Sequence, residues 1–219
     1  MFKNKLVIKS CVLVCSVLIA FLLEPLKKLS YDDSEERDQF QELVGEAQEK
    51  YPDDNEIVAL TKLAEEKSSN YFESNASLRD KQAKAADIFF GYYLINVKAR
   101  EDFCKGIGID ISHFTYLFKA SVNREFLIAK AIRKYTPYEI NQLYIQSRPS
   151  IDALVKKDME SLSSRNNLSI KDGCRYLINK GKDIVEFIHI SNVNPNVYEV
   201  LIEAEKESAS LSQRGRRTK

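Results

Sequence analysis

The sequence predicts an all-α protein, an irregular bundle of about seven to nine helices preceded by an N-terminal hydrophobic helix. Apolar residues recur at helical spacing along most of the chain, and no segment shows the strict alternation of a half-buried strand. Seven Gly and five Pro in 219 residues are few for a β-rich chain, in which turns recur about every 8–12 residues. With 44% hydrophobic and 30% charged residues, the composition is that of a globular domain.

The N-terminal segment has the pattern of an export signal or membrane anchor. Lys3, Lys5 and Lys9 lie beside an apolar run that spans residues 6–23. The positive-inside tendency keeps these lysines in the cytoplasm and sends the rest of the chain across the membrane. A helix that is apolar all round is atypical of a soluble core, which favours membrane contact over residues 6–23.

Whether this segment is cleaved depends on small residues near its end. Cleavage after Ala20 would place Leu18 at the −3 position, which a signal peptidase disfavours. We therefore expect a retained, single-pass anchor in the inner membrane with the body in the periplasm. Secretion after cleavage is the alternative.

These patterns, with the composition of the remaining residues, predict four segments in the chain. Residues 1–23 are the anchor or signal segment, and residues 24–33 are a juxtamembrane link. Residues 34–207 form the helical extracytoplasmic domain. Residues 208–219 are small, polar and basic, so we predict a disordered tail.

The first three helices of the body are separated by clear breaks. Ser34 opens the first, which ends before Pro52, and the second runs from about Ile57 to Tyr71. A longer third helix is predicted from Ser77 to Cys104, where glycines in the next residues end it.

The remaining helices are shorter. Asp110 or Ser112 caps a helix that continues, after a kink, towards Tyr135. Thr136 and Glu139 predict a capping box with Pro at the first helical position. Further predicted elements are a break at Arg148–Ser150, a helix along Ile151–Met159, a helix from Ser169 to Lys180, a helix or short strand at Asp183–His189, and a last helix from Asn194.

Charge is unevenly distributed. Between positions 31 and 70 the chain has thirteen acidic and four basic side chains, whereas the rest of the body is weakly basic. This segment is either a solvated acidic face or a surface that docks on a basic one, within the body or on a partner. The formal net charge of +1 gives no case for nucleic acid.

The body contains two cysteines, Cys104 and Cys174. An even pair in an exported domain predicts one disulfide, and two separately buried thiols are the alternative. Two cysteines without closely spaced Cys or His do not make a metal site.

No motif carries catalytic chemistry. The two histidines, His113 and His189, are interpreted as structural, and Gly106 and Gly108 belong to a turn because the pattern lacks a preceding strand. We therefore assign no catalytic, cofactor-binding or metal-binding residue, and expect no cofactor. Tyr138 and Tyr144 are the candidates for an exposed interaction surface.

These observations favour a non-enzymatic, membrane-tethered helical module for interaction or assembly on the extracytoplasmic side of a membrane. Its expected partners are the membrane, through residues 6–23, and another envelope protein. No nucleic acid and no small-molecule ligand are expected. The alternatives are a hydrolase acting on an envelope polymer and a small-ligand-binding sensory domain, either with an unrecognised site.

Overall fold

A computed structural model describes residues 33–217 of the chain, with side chains from 41 to 210 except at positions 57 and 165. The predicted anchor, residues 1–23, and almost all of the link lie outside the described residues. Among the helices that are described, none is long and apolar enough to cross a membrane.

The described residues form ten helices and no strand, which confirms the all-α class and exceeds the predicted number of helices. In chain order they are α1 (Asp33–Lys50), α2 (Glu56–Glu73), α3 (Leu78–Leu94, continued by a π-helical segment Ile95–Ala99 into Arg100–Gly106), α4 (Ser112–Ser121), α5 (Asn123–Arg133), α6 (Pro137–Arg165), α7 (Ile170–Asn179), α8 (Gly181–Phe187), α9 (Ile190–Val193) and α10 (Pro195–Arg217).

Several helices begin where the sequence places a capping residue. The Thr136 hydroxyl accepts from the Glu139 N–H, and the Glu139 carboxylate accepts from the Thr136 N–H at 2.7 Å, so the predicted capping box is present. The side chains of Asn55, Ser77 and Ser169 cap α2, α3 and α7 by accepting a hydrogen bond from the backbone N–H three residues later. These side chains satisfy backbone N–H groups that the first helical turn leaves without a partner.

Helix α3 is the central element, because most of its residues are buried and the buried residues lie on every face of the helix. Phe89, Phe90 and Tyr92 are completely buried, and the Tyr92 hydroxyl donates to the Ile188 carbonyl at 2.6 Å. Helices α5 and α10 pack against the N-terminal part of α3, while α4 and α6 pack against its π-helical segment. Helices α1 and α2 form a hairpin that reaches α6 through α1.

A buried ion pair joins α3 to α6. Arg100 follows the π-helical segment and contacts Asp158 of α6, and it also donates to the side chain of Asn96. All three side chains are buried. Separating the two side chains would leave an uncompensated charge in the core, which is strongly destabilising. The pair therefore fixes how α3 and α6 face each other.

The break predicted at Arg148–Ser150 is wrong, because α6 runs without interruption through Pro149. Proline inside a helix removes one hydrogen bond and costs about 3 kcal/mol. Leu143 and Tyr144 before it and Ile151 after it are all buried. Burial of one apolar face on both sides of the proline outweighs that cost.

The C-terminal helix also extends further than predicted. Helix α10 continues past Ser208, where the sequence predicts a disordered tail, and ends at Arg217. The Ser208 and Ser210 hydroxyls donate to the backbone carbonyls of Ala204 and Glu207, at 3.0 and 2.8 Å. The segment after Ser208 has no proline, the residue that interrupts a helix most strongly.

The predicted disulfide between Cys104 and Cys174 is present and joins the end of α3 to α7. Both cysteines are completely buried, and their Cα atoms lie 5.8 Å apart. The adjacent residue, Gly173, lies close to α6, because a Cβ atom at this position would be 2.6 Å from Ser163 Oγ.

Removal of the disulfide should lower stability without changing the fold. The bond closes a loop over a sequence separation of 70 residues, which predicts a loss of about 4 kcal/mol in the free energy of unfolding for Cys104→Ala combined with Cys174→Ala. Urea unfolding of the double variant measures this loss, and reduced wild-type protein is the control. A free energy equal to that of the oxidised wild type would contradict the prediction.

The close approach of α6 and α7 predicts a coupled pair of substitutions. Gly173→Ala should destabilise the protein by about 1–3 kcal/mol, because the new methyl group overlaps Ser163 Oγ. In a Ser163→Ala background the same change should cost clearly less, which a double-mutant cycle of unfolding free energies measures. Gly106→Ala is the control, since a Cβ atom there meets nothing within 4 Å. Equal costs in both backgrounds would refute the overlap.

Candidate interaction groove

A groove of about 810 Å³ runs between α3, α5 and α10. Its floor is apolar and its edges are charged, and no aromatic side chain lines it within the described part of the chain. The lining residues are Arg79, Gln82 and Ala83 from α3, Arg124, Leu127, Ile128, Ala131, Ile132 and Arg133 from α5 with Lys134 after it, and Ala204, Glu205, Glu207 and Ser208 from α10.

The orientation of α5 is set by Phe126, which packs inwards on α3. Its ring lies 4.7 Å from that of Tyr93 and 6.0 Å from that of Phe90, measured between centroids. Successive helical residues point about 100° apart, so Leu127 turns away from the core and is 56% exposed. Ala131, one turn further along α5, is exposed in the same direction.

Leu127 and Ala131 form the exposed part of an apolar strip along α5. Ile128 is buried beneath them and Ile132 is half-buried, while Ala204 of α10 closes the floor from the other side. An exposed leucine alone needs no explanation. Here the exposed side chains continue into a buried apolar floor between two further helices, which is the form of a binding groove.

Polar contacts tie the walls of the groove together. Arg124 of α5 donates to Glu205 of α10 at 2.6 Å, and Gln82 of α3 donates to Glu207 of α10 at 2.9 Å. At the last residue of α5, Arg133 pairs with Asp87 of α3 at 2.9 Å. Exposed pairs of this kind add little to stability. They do connect all three helices, so the groove is formed before any partner binds.

The charge of the lining is positive, with four basic and two acidic side chains. Both carboxylates are engaged, Glu205 by Arg124 and Glu207 by Gln82. Among the described residues, Arg79 and Lys134 form no ion pair, so their charges remain available. Lys134 ends α5 in the left-handed conformation, with φ of 57°.

The two tyrosines predicted for a surface have different positions. Tyr138 is 71% exposed on the first turn of α6. Tyr144 is 6% exposed, and its hydroxyl donates to Asp102 at 2.7 Å, which corrects the expected exposure. Burial and this hydrogen bond to a carboxylate raise the pKa of Tyr144 well above its usual value. Tyr144 lies on the face of α6 that packs on the core, so only Tyr138 of the two is exposed.

A second cleft, of about 460 Å³, contains His189 and Ser191. His189 Nε2 lies 3.2 Å from the Ser121 carbonyl, and Nδ1 lies 2.9 Å from Ser191 Oγ. The carbonyl can only accept, so Nε2 carries the proton and Nδ1 accepts from the Ser191 backbone N–H and hydroxyl. His189 therefore caps the short helix α9 and ties it to the end of α4, as expected of a structural histidine.

The described residues contain no arrangement for metal binding, since no group of three or more His, Cys, Asp or Glu side chains converges. The body cysteines are consumed by the disulfide. His113 is exposed on α4.

Some carboxylates of the acidic segment are paired with its own lysines. Between α1 and α2, Lys50 pairs with Glu66 and Lys67 pairs with Glu46, at 2.5 and 2.8 Å. Lys157 of α6 contacts Glu56, so the hairpin also meets a basic residue of the body.

Sequence patterns did not predict the groove. Ile128, Ala131 and Ile132 recur at helical spacing along α5, and in the structure Ile128 and Ile132 form part of the floor while Ala131 is exposed. Leu127 lies next to these residues and widens the apolar face of α5. This extra leucine is the one local signal that α5 has an apolar surface besides the one packed on the core. The contributions of α3 and α10 depend on tertiary packing and have no local signature.

Comparisons of the chain with protein-family models, with curated proteins and with solved structures found no match.

Proposed function

We propose that this chain is a non-enzymatic helical module for interaction or assembly, held at a membrane by residues 6–23, with its body on the extracytoplasmic side. The body binds another envelope protein through the groove between α3, α5 and α10. One observation carries this proposal: Leu127 and Ala131 are exposed above an apolar floor, in a groove whose walls are tied together.

Two features support the membrane side. The basic residues before the apolar run favour an anchor with its N-terminus in the cytoplasm. The buried Cys104–Cys174 disulfide is typical of an oxidising compartment such as the periplasm.

Binding of a protein is favoured over the alternatives. The histidine nearest to a serine hydroxyl serves as a helix cap, so no observation favours a hydrolase. The volume of the groove falls within the range of small-ligand pockets, roughly 300–1,000 Å³, which supports a sensory domain. The groove, however, is bounded by exposed residues along α5 and leaves its longest apolar side chain 56% accessible, as on a docking surface.

Site-specific photocrosslinking tests this function. A photoreactive amino acid replaces Leu127 in the full chain, expressed in its own cells, and the same amino acid replaces Ile145 as the control. The two residues are matched, because both are aliphatic, both lie on helices and Ile145 is 51% exposed. We expect one discrete protein adduct from position 127 and none above background from position 145.

Equal adducts from both positions, or none from either, would contradict docking at the groove. A reporter that is active only after export, fused at the C-terminus, tests the membrane side in parallel. Activity of that reporter supports the extracytoplasmic body, and activity of a cytoplasm-specific reporter in its place refutes it.

A further inference from the structure

We propose that the segment bound in the groove is an acidic amphipathic α-helix of the partner protein, a proposal that rests on the docking function above. Its apolar side chains lie on Leu127 and Ala131, and its carboxylates meet Arg79 and Lys134. Three properties of the groove lead to this assignment: the backbone chemistry of its walls, the residue types of its lining and the distribution of its charge.

The walls exclude an extended partner. All three are α-helices, whose backbone N–H and C=O groups in mid-helix are already paired. A strand laid on them would find no sheet edge, so its backbone groups would be left without partners above an apolar floor. Unpaired backbone groups that are buried at an interface weaken binding. A helix satisfies its own backbone and exposes only side chains to the groove.

The lining also argues against a proline-rich segment. Grooves that recognise polyproline helices are lined by aromatic side chains. The described lining has none, and its apolar surface consists of leucine, isoleucine and alanine side chains. Small and aliphatic residues along one helix leave a shallow channel that fits the apolar side chains of a second helix, spaced one turn apart.

The charge of the groove selects an acidic partner. Lys134 follows the last turn of α5 and places a cation, unpaired among the described residues, at that end of the apolar strip, whereas the charge of Arg124 at the other end is already balanced by Glu205. Arg79 adds charge from α3. The two carboxylates are already engaged, by Arg124 and Gln82. A basic segment would oppose this surface, whereas carboxylates that flank a short apolar stripe complement it.

The crosslinked adduct from position 127 provides the test. The peptide joined to the photoreactive residue is identified by mass spectrometry, in the wild-type background and in two charge-reversal variants. Arg79→Glu with Lys134→Glu changes the groove. Lys119→Glu with Lys171→Glu makes the same change of net charge at exposed positions on α4 and α7.

We expect a peptide with apolar residues at helical spacing flanked by Asp or Glu. The groove pair should lower the adduct yield about fivefold, as expected for the loss of two exposed ion pairs, and the control pair should not. Replacing the mapped carboxylates by lysine in the partner should restore the yield with the groove pair.

Each failure has a distinct meaning. An adduct at position 127 with a basic or an extended segment of a protein overturns the acidic helix but leaves the docking function. So does a yield that falls equally in both charge variants. An adduct with a lipid or a glycan overturns both proposals, because the proposed function is the binding of a protein. The absence of any adduct at position 127 overturns the docking function itself.

Discussion

The packing of Phe126 on α3 is the contact on which the rest of the candidate site depends. Helix α3 is buried on nearly every face, so each neighbouring helix is positioned relative to it. Phe126 holds α5 with one face on Phe90 and Tyr93, and the helical repeat then directs Leu127 outwards. Helix α10 packs on both α3 and α5 and closes the third wall. A rotation of α5 would bury Leu127 and remove the groove.

Two other constraints hold the opposite end of α3. The Arg100–Asp158 pair and the Cys104–Cys174 disulfide join the segment after the π-helical turn to α6 and α7. A buried charge pair restricts the relative position of the two helices that carry it, even where it adds little net stability. The central helix is thus fixed at both ends, by aromatic packing on α5 and contact with α10 at one end, and by polar and covalent links to α6 and α7 at the other. This rigidity favours a preformed surface over one that folds on binding.

Most of the helices could be predicted from local patterns, and the failures have physical causes. Capping at Thr136 and Glu139 is a local interaction, and it was predicted correctly, as was the long third helix. Pro149 was misread because its local penalty is opposed by burial of Tyr144 and Ile151, which only the tertiary structure provides. The groove was missed for the same reason, since its walls come from parts of the chain that are far apart in sequence. The pairing of Cys104 with Cys174 was predictable because only two cysteines lie in the body.

The most direct test of the account is protection of the groove in the native membrane. In a chain whose Cys11 and Cys15 are replaced by alanine, Leu127→Cys and Ile145→Cys are alkylated with a membrane-impermeant maleimide, in isolated native membranes and in the purified protein. The account predicts that position 127 reacts freely when purified and at least several times more slowly in membranes, while position 145 reacts alike in both. Equal rates at position 127 in both preparations would contradict a partner bound in the groove.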